Sequence, residues 1–132
     1  MSRSLGPATV VVVLALMPAG AAAQQKPVEV STQDAASVKG KQATVCGPVA
    51  SVHLAIRTGG APTFINFDKP NPDQTFTVLI WGIDRPKFAA PPESTFTAGK
   101  RVCVTGTVTD FRGKPEIVVH NPEEIHVADK GK

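Results

Sequence analysis

The sequence is poor in the residue types on which catalytic and metal sites depend. Its 132 residues contain no tyrosine, one tryptophan, two cysteines and three histidines. The histidines, His53, His120 and His126, lie too far apart for a tight set of metal ligands. The aspartates are scattered through predicted turns, and neither a Gly-rich phosphate loop nor a Ser/His/Asp arrangement is recognisable. We therefore expect no enzymatic activity, no cofactor and no metal site.

Charge of either sign is also scarce. The chain has 14 Lys and Arg residues against 11 Asp and Glu residues, a net charge of +3. One of the basic residues, Arg3, lies within residues 1–23, and the remainder of the chain carries 13 basic against 11 acidic residues. So weak a bias permits a polyanionic partner without requiring one.

The long apolar run near the N-terminus is too short to cross a membrane. It covers residues 10–17, whereas a membrane span needs about 20 residues. Arg3 precedes the run and small residues follow it up to Ala23, an order typical of a secretory signal peptide. We predict that residues 1–23 are removed by a cut after Ala23. The protein is then periplasmic or secreted and has no membrane contact after cleavage; an uncleaved anchor is the alternative.

A short phrase occurs twice in the sequence. Residues 40–47 read GKQATVCG, and residues 99–106 read GKRVCVTG. Each copy begins with a Gly-Lys turn, continues as a strand of Val, Thr and Cys, and ends at a glycine. A glycine inside a strand allows the sharp bend that small closed barrels need. The repeat therefore predicts a small β-barrel.

Turn residues divide the chain into five strand-like runs. A Pro-rich connection at 84–98 separates the third run from the fourth. This order predicts an all-β fold, a five-stranded OB-fold Greek-key barrel. An SH3-like barrel is the alternative, but it does not readily explain the long connection. The predicted strands are 42–56, 63–67, 75–82, 100–111 and 116–120.

The segments around the barrel are also predicted. Ser31 or Thr32 can cap a short N-terminal helix that ends at Val38. We place the OB-fold domain at residues 31–128. A flexible leader at 24–30 precedes it, and a disordered tail at 129–132 follows it.

Several runs of the sequence resemble a known family. Residues 45–53, 62–67, 76–82 and 99–106 resemble bacterial OB-fold nucleic-acid-binding domains, in particular the exported kind that also occurs attached to secreted sugar-non-specific endonucleases. The resemblance covers roughly residues 31–127. It implies a nucleic-acid-binding domain without a second domain that carries out catalysis.

The two cysteines, Cys46 and Cys103, lie in the two copies of the repeated phrase. The first and fourth strands of an OB barrel pair antiparallel, and a register that sets Cys46 opposite Cys103 also sets Thr44 opposite Thr105. Residues directly opposite each other have Cα atoms about 4.5–5.5 Å apart, a distance that a disulfide can bridge. We predict a cross-strand disulfide. The alternative is two free thiols packed as small hydrophobic groups.

Strand parity separates the core from the surface. We expect an inward set made of Val45, Gly47, Val49, Ile65, Phe67, Phe76, Val78, Ile80, Val102, Val104 and Val108. The outer face of the second and third strands then carries Phe64, Asn66, Thr77, Leu79 and Trp81. In OB-folds, this face and its adjoining loops bind oligonucleotides or oligosaccharides.

Single-stranded nucleic acid needs flat rings for its bases and cations for its phosphates. Trp81 and Phe64 supply rings on the predicted face. We hypothesise a monomer that binds single-stranded DNA or RNA without sequence preference. The alternatives for single residues are that Trp81 packs as a structural residue and that the turn cations are only solvated. The alternative function is an accessory module that binds a protein or an oligosaccharide. The predicted cations are Arg57, Lys69, Arg85, Lys87, Arg112 and Lys114.

Overall fold

The computed structural model describes residues 2, 4, 6–16 and 26–128. Residues 6–16 have no regular secondary structure, and their apolar side chains are exposed. The predicted cut after Ala23 and the predicted tail at 129–132 lie outside the described residues. Within the described part of the chain, no helix is long and apolar enough to span a bilayer.

The described residues fold mainly as β-strands, which confirms the all-β prediction. Helical structure is limited to three 3-10 helices, Thr32–Val38, Arg85–Lys87 and Pro122–Glu124, and one short α-helix, α1 (Pro92–Thr95). The strands are β1 (Val28–Ser31), β2 (Gln42–Leu54), β3 (Thr63–Phe67), β4 (Phe76–Ile80), β5 (Arg101–Thr107), β6 (Thr109–Phe111), β7 (Lys114–Val118) and β8 (Ile125–Val127).

The strands follow one hydrogen-bonded path, β6-β7-β4-β3-β2-β5-β8, with β1 paired to β2 off this path. The β4–β7 and β1–β2 pairs are parallel and the others antiparallel. The described chain thus has eight strands where the sequence predicted five. One cause is Val108, whose N–H and C=O bond to Lys41 and Gly40 and so divide the fourth predicted strand into β5 and β6.

The other added strands lie at free edges. Residues 24–30 were predicted as a flexible leader, but β1 begins at Val28 and pairs with β2 from Ala43 to Cys46. The first half of the long strand β2 pairs with β5 on one side, so its other edge is open to β1. Unpaired edges of this kind are usually covered. The C-terminal strand β8 covers β5 in the same way.

The predicted N-terminal helix is present as the 3-10 helix Thr32–Val38. The Ser31 side chain caps it by accepting the Asp34 N–H at 3.3 Å. The helix lies so close to β2 that a Cβ at Gly47 would overlap the Thr32 side chain. Close approach of the helix is therefore a second reason for the glycine that ends the first copy of the repeat.

The predicted inward set is confirmed. Val45, Val104, Phe67 and Phe76 are fully buried in one core cluster, and the two phenylalanine rings lie 5.3 Å apart. Removing this apolar surface from water is the main favourable term for the fold, at about 25 cal/mol for each Å² buried. Strand parity thus assigned the members of this inward set correctly.

The predicted disulfide joins Cys46 of β2 to Cys103 of β5. Their Cα atoms are 4.1 Å apart, and the register sets Cys46 opposite Cys103 and Thr44 opposite Thr105, as predicted. The two threonine hydroxyls hydrogen-bond at 2.8 Å. The two copies of the repeated phrase therefore lie side by side in the sheet.

The strand β2 passes from pairing with β5 to pairing with β3 after Pro48, and a β-bulge follows this change. The register moves from Val49 opposite Phe67 to Ser51 opposite Asn66, so β2 has one extra residue at this point. Beyond the bulge, Ser51 and His53 lie on the outer face of the sheet. The bulge thereby brings two polar side chains of β2 beside the outer face of β3 and β4.

Candidate functional site

Four polar side chains form a row across the outer face of the sheet. The strand registers set Ser51 opposite Asn66, Asn66 opposite Thr77, and Thr77 opposite Glu116. Asn66 Nδ2 donates to Ser51 Oγ at 3.2 Å, and Thr77 Oγ1 donates to Asn66 Oδ1 at 3.3 Å. We call Ser51, Asn66, Thr77 and Glu116 the polar row.

The polar row is the floor of a groove made of two adjoining cavities of about 420 and 340 Å³. Both cavities are lined by Asn71, Gln74, Thr77, Phe111 and Glu116. The first extends to Ser51, His53, Phe64, Asn66 and Pro70, and the second to Pro72, Arg112, Lys114 and Pro115.

The groove holds the phenylalanines that the core does not use. Phe67 and Phe76 are buried, and Phe88 packs edge-on against Phe96. Phe64, which is half-buried, and Phe111, which is 50% exposed, both line the groove. An aromatic ring that stays in water is available to a ligand.

The hairpin between β6 and β7 forms one wall. Arg112 and Gly113 both have positive φ, 52° and 86°, as a tight two-residue hairpin turn requires. The turn places the Arg112 guanidinium over the Phe111 ring at 5.2 Å. Among the described residues, Arg112 has no acidic partner.

The loop between β3 and β4 forms the opposite wall, and hydrogen bonds fix it. Gln74 Nε2 donates to Asn71 Oδ1 at 3.1 Å and to Thr77 Oγ1 at 3.3 Å. Lys114 Nζ reaches across from β7 to the backbone carbonyls of Pro72 and Gln74, the latter at 3.0 Å. The groove is therefore formed before any ligand arrives.

Glu116 lies in the middle of the floor. It is 6% exposed, and burial raises the pKa of its carboxyl group. Within the described part of the chain, its carboxyl group has neither a hydrogen-bond donor nor a cation as partner. No side-chain oxygen of the described residues is both fully buried and unpartnered, so the Glu116 carboxyl oxygens keep contact with solvent in the groove. Partial burial still disfavours the charged form, because the group has lost part of its water without a protein donor in exchange.

Five of the eleven predicted nucleic-acid-binding residues line the groove, and a sixth lies beside it. Lys69 is exposed on the loop next to Pro70, at the rim. Asn66 and Thr77 are buried in the floor rather than presented on an open surface. The five lining residues are Phe64, Asn66, Thr77, Arg112 and Lys114.

Three further predicted residues do not line the groove. Leu79 is on the same face but is buried under its neighbours. Trp81 lies two residues further along and is 37% exposed, with its ring packed over the backbone of Gly60. Arg57 is exposed on the turn that contains Gly60. Trp81 and Arg57 therefore belong to the other end of the outer face.

The remaining two predicted cations are held by acids away from the groove. Arg85 makes two bonds to the Glu93 carboxylate, at 2.7 and 2.9 Å, which raise the pKa of Arg85 and lower that of Glu93. Lys87 pairs with Asp84 at 2.8 Å. The bonds from Lys87 and from His120 lower the pKa of Asp84. These cations stabilise the crossover between β4 and β5.

Besides Pro70, Pro72 and Pro115, sequence reasoning missed six residues of the groove. Phe111 carried a usable signal, since it flanks a tight turn and falls outside the inward set. Glu116 lies two residues after Lys114 on the same strand face, so parity also indicated that it points outward. The other four depend on the bulge and on the course of the loop: Ser51, His53, Asn71 and Gln74. Among the described residues, no group of three or more His, Cys, Asp or Glu side chains could hold a metal ion.

Comparison with known proteins adds information on the fold. No protein family matches the sequence, and no curated protein matches it. The structure is similar to the OBody AM1L10 bound to hen egg-white lysozyme, with a TM-score of 0.53 and 18% identity over 77% of this chain and 92% of that chain. It is also similar to the structure of yeast Stn1 and Ten1, with a TM-score of 0.56 and 12% identity over 81% of this chain and 65% of that chain. Both likenesses are consistent with an OB-fold.

A third similar structure is a putative aspartyl-tRNA synthetase from Leishmania major Friedlin. The TM-score is 0.49 and the identity 12%, over 82% of this chain. The match spans 22% of the synthetase chain.

Proposed function

We propose that this protein is an exported OB-fold protein that binds single-stranded nucleic acid in the groove, without strong sequence preference. In this proposal β5 and β6 count as one bent strand, which with β2, β3, β4 and β7 makes the five-stranded barrel of an OB-fold. One observation carries the proposal. Both phenylalanines outside the core, and cations without acidic partners in the described chain, flank the same groove.

The rings provide stacking surfaces. Phe64 and Phe111 line one cavity together, so bases of a single strand can stack on each of them. Base–aromatic stacking contributes about 1–3 kcal/mol for each base and depends little on sequence. Two stacked bases would therefore account for much of the affinity of a short oligonucleotide.

The cations provide phosphate contacts. Arg112 and Lys114 line the second cavity, and Lys69 lies at the rim of the first. The contacts of the Lys114 ammonium in the described chain are neutral oxygens, which leave its charge uncompensated. Three such contacts predict that log K falls with log salt with a slope of roughly −2.

A salt-dependent titration tests the proposal. Fluorescence anisotropy of a labelled mixed-sequence oligonucleotide, about ten nucleotides long to fill one OB site, is measured between about 50 and 200 mM salt. We expect affinity to fall steeply with salt. Phe111→Ala should weaken binding about tenfold or more, because one stacking surface is lost.

Two arginines offer a matched control. Arg112 and Arg57 both lie on exposed turns, but only Arg112 lines the groove. Arg112→Ala should weaken binding and reduce the salt slope by about 0.7, while Arg57→Ala should change neither. Binding that is equally strong at low and high salt, or equally reduced by both variants, would contradict the proposal.

A protein partner is a second candidate function, favoured by exposed apolar side chains at the other end of the outer face. Ile56 is 70% exposed and Ile83 84% exposed. They lie on two turns joined by the bond from Gly82 N–H to Gly60 C=O at 2.9 Å, beside the half-open Trp81 ring. Ile83→Lys should abolish capture of such a partner and leave oligonucleotide binding unchanged.

A further inference from the structure

Glu116 is the member of the polar row whose side chain has no hydrogen-bond partner among the described residues. The residue lines both cavities, yet it is 6% exposed. It lies opposite Thr77 on the neighbouring strand, about 5 Å away across the sheet. A ligand that fills either cavity therefore lies against this residue.

The neighbours of Glu116 already have their own partners. Asn66 donates to Ser51 and accepts from Thr77, and Thr77 accepts from Gln74. Lys114, two residues before Glu116 on the same face, is directed to the carbonyls of Pro72 and Gln74. Among the described residues, Glu116 is thus the member of the floor that lacks a donor.

We infer that Glu116 makes the groove prefer bases that carry an exocyclic amino group over uracil and thymine. This inference rests on the proposed function and adds a base preference to it. An ionised carboxylate only accepts hydrogen bonds, and the amino group of cytosine is a donor that glutamate accepts in known base contacts. Adenine and guanine also carry an amino donor.

Uracil and thymine present the opposite pattern. Where cytosine has its 4-amino group, they have a carbonyl oxygen, which cannot donate and repels a carboxylate. Their one ring N–H lies between two carbonyl oxygens. A base stacked on Phe64 or Phe111 turns its edge towards the floor, where Glu116 can accept from an amino group but not from a carbonyl oxygen.

Oligonucleotides of deoxycytidine and deoxyuridine, each about ten nucleotides long, form a matched pair for the test. They have the same backbone, ring size and charge, and they differ in the group at position 4 and in the N3 proton. We expect the deoxycytidine strand to bind about tenfold more tightly, the ratio that one charge-assisted hydrogen bond supplies. In Glu116→Gln, the ratio should fall to within about twofold, since a glutamine both accepts and donates.

Two controls isolate the carboxylate. Glu123→Gln makes the same charge change on an exposed residue outside the groove, and it should leave the ratio unchanged. A strand of N4,N4-dimethyldeoxycytidine keeps the ring and removes both amino protons, so it should bind the unaltered protein as weakly as deoxyuridine does. This probe needs no variant and stays informative if Glu116→Gln misfolds.

The outcomes separate the inference from the proposed function. If the protein binds none of these strands, the proposed function fails and the inference with it. If it binds all of them with equal affinity, the proposed function stands and the inference is overturned. A preference for deoxycytidine that persists in Glu116→Gln also overturns the inference. So does a dimethylated strand that binds the unaltered protein as tightly as the deoxycytidine strand.

Discussion

The two ends of the outer face carry similar cations in different electrostatic settings. At the Trp81 end, which comprises the turn 56–60 and residues 81–87, Arg85 and Lys87 are both paired with acids. At the hairpin end, residues 111–114, Arg112 lies over an aromatic ring and Lys114 contacts neutral oxygens. A basic residue in a loop of this sheet is therefore a candidate phosphate ligand only where no nearby acid already compensates its charge.

Local sequence explains part of this difference. The connection after β4 contains Asp84 and Glu93, each within eight residues of the cation that it pairs with. Asp110, the acid just before the hairpin turn, pairs with Lys39 at 2.5 Å and accepts the Gly113 N–H at 3.2 Å. Lys39 comes from the end of the 3-10 helix. Lys39, which is remote in sequence, thus pairs with the acid that would otherwise compensate the charge of the hairpin cations.

Removal of the disulfide should produce the largest effect on stability. This effect should be the same for both ends of the outer face. Replacing Cys46 and Cys103 with alanine opens a loop of 57 residues. The free energy of unfolding should fall by about 2–4 kcal/mol, because the unfolded chain gains freedom. Urea titration measures this loss. The affinity of the remaining folded protein for oligonucleotides should stay the same, and a selective loss of binding would show that the bridge shapes the groove.

Gly60→Ala should perturb the Trp81 end alone. Gly60 has a φ of +80°, and a Cβ there would lie 2.8 Å from the Trp81 ring. The strained backbone and the displaced ring should together lower stability by about 2 kcal/mol. The emission of Trp81, the one tryptophan in the chain, should shift towards that of a solvated indole. Oligonucleotide affinity should not change; a tenfold loss would mean that the two ends form one binding surface.

Parity and turn residues predicted most strands of the sheet, because both are local properties. The burial of Val45 and Val104 and the pairing of Cys46 with Cys103 follow from alternation and one register. The strand Val28–Ser31 was missed, because its formation depends on the open edge of β2, which no local pattern reports.

The site was predicted less completely for the same reason. Parity placed Phe64, Asn66 and Thr77 on the correct face, but it did not show that two of them are buried in a floor. The ion pair of Arg85 with Glu93 depends on how the crossover folds. The polar partners on β2 depend on the bulge before Ser51. Each of these features depends on how the chain packs, which the alternation of residues along one strand does not report.

Arg85→Ala should separate stability from binding. It removes both bonds to Glu93 and the donor to Thr63 Oγ1 at 2.7 Å. Stability should fall by about 1–2 kcal/mol, a range that allows for solvent screening of the half-open ion pair. Thermal unfolding measures the loss, and oligonucleotide affinity should be unchanged within about twofold. Arg112→Ala is the mirror control, since it should weaken binding and leave stability unchanged.

The smallest effects are changes of stability with pH. The slope of stability against pH should have opposite signs at the two ends. At the Trp81 end, the bonds from Lys87 and His120 lower the pKa of Asp84 below its ordinary value of 3.8. Below pH 3.8 the Asp84 carboxyl group binds more protons in the unfolded chain than in the folded protein. The stabilisation is therefore complete at pH values above 3.8 and is lost as the pH falls through the folded pKa. Asp84→Asn should therefore lower stability by about 1 kcal/mol at neutral pH. The difference from the unaltered protein should shrink in acid.

At the hairpin end, burial raises the pKa of Glu116 above its ordinary value of 4.5. The folded protein then binds more protons than the unfolded chain in the window above 4.5, so stability falls as pH rises through that window. Glu116→Gln should remove this slope and make the protein more stable by up to about 1 kcal/mol at neutral pH. The two proteins should be equally stable below 4.5, where the carboxyl group is protonated in both states. Thermal unfolding from about pH 4 to 8 checks the sign. A variant less stable than the unaltered protein at neutral pH would show that a donor satisfies Glu116 in the folded state, and the groove would then have no unfilled acceptor to offer a base.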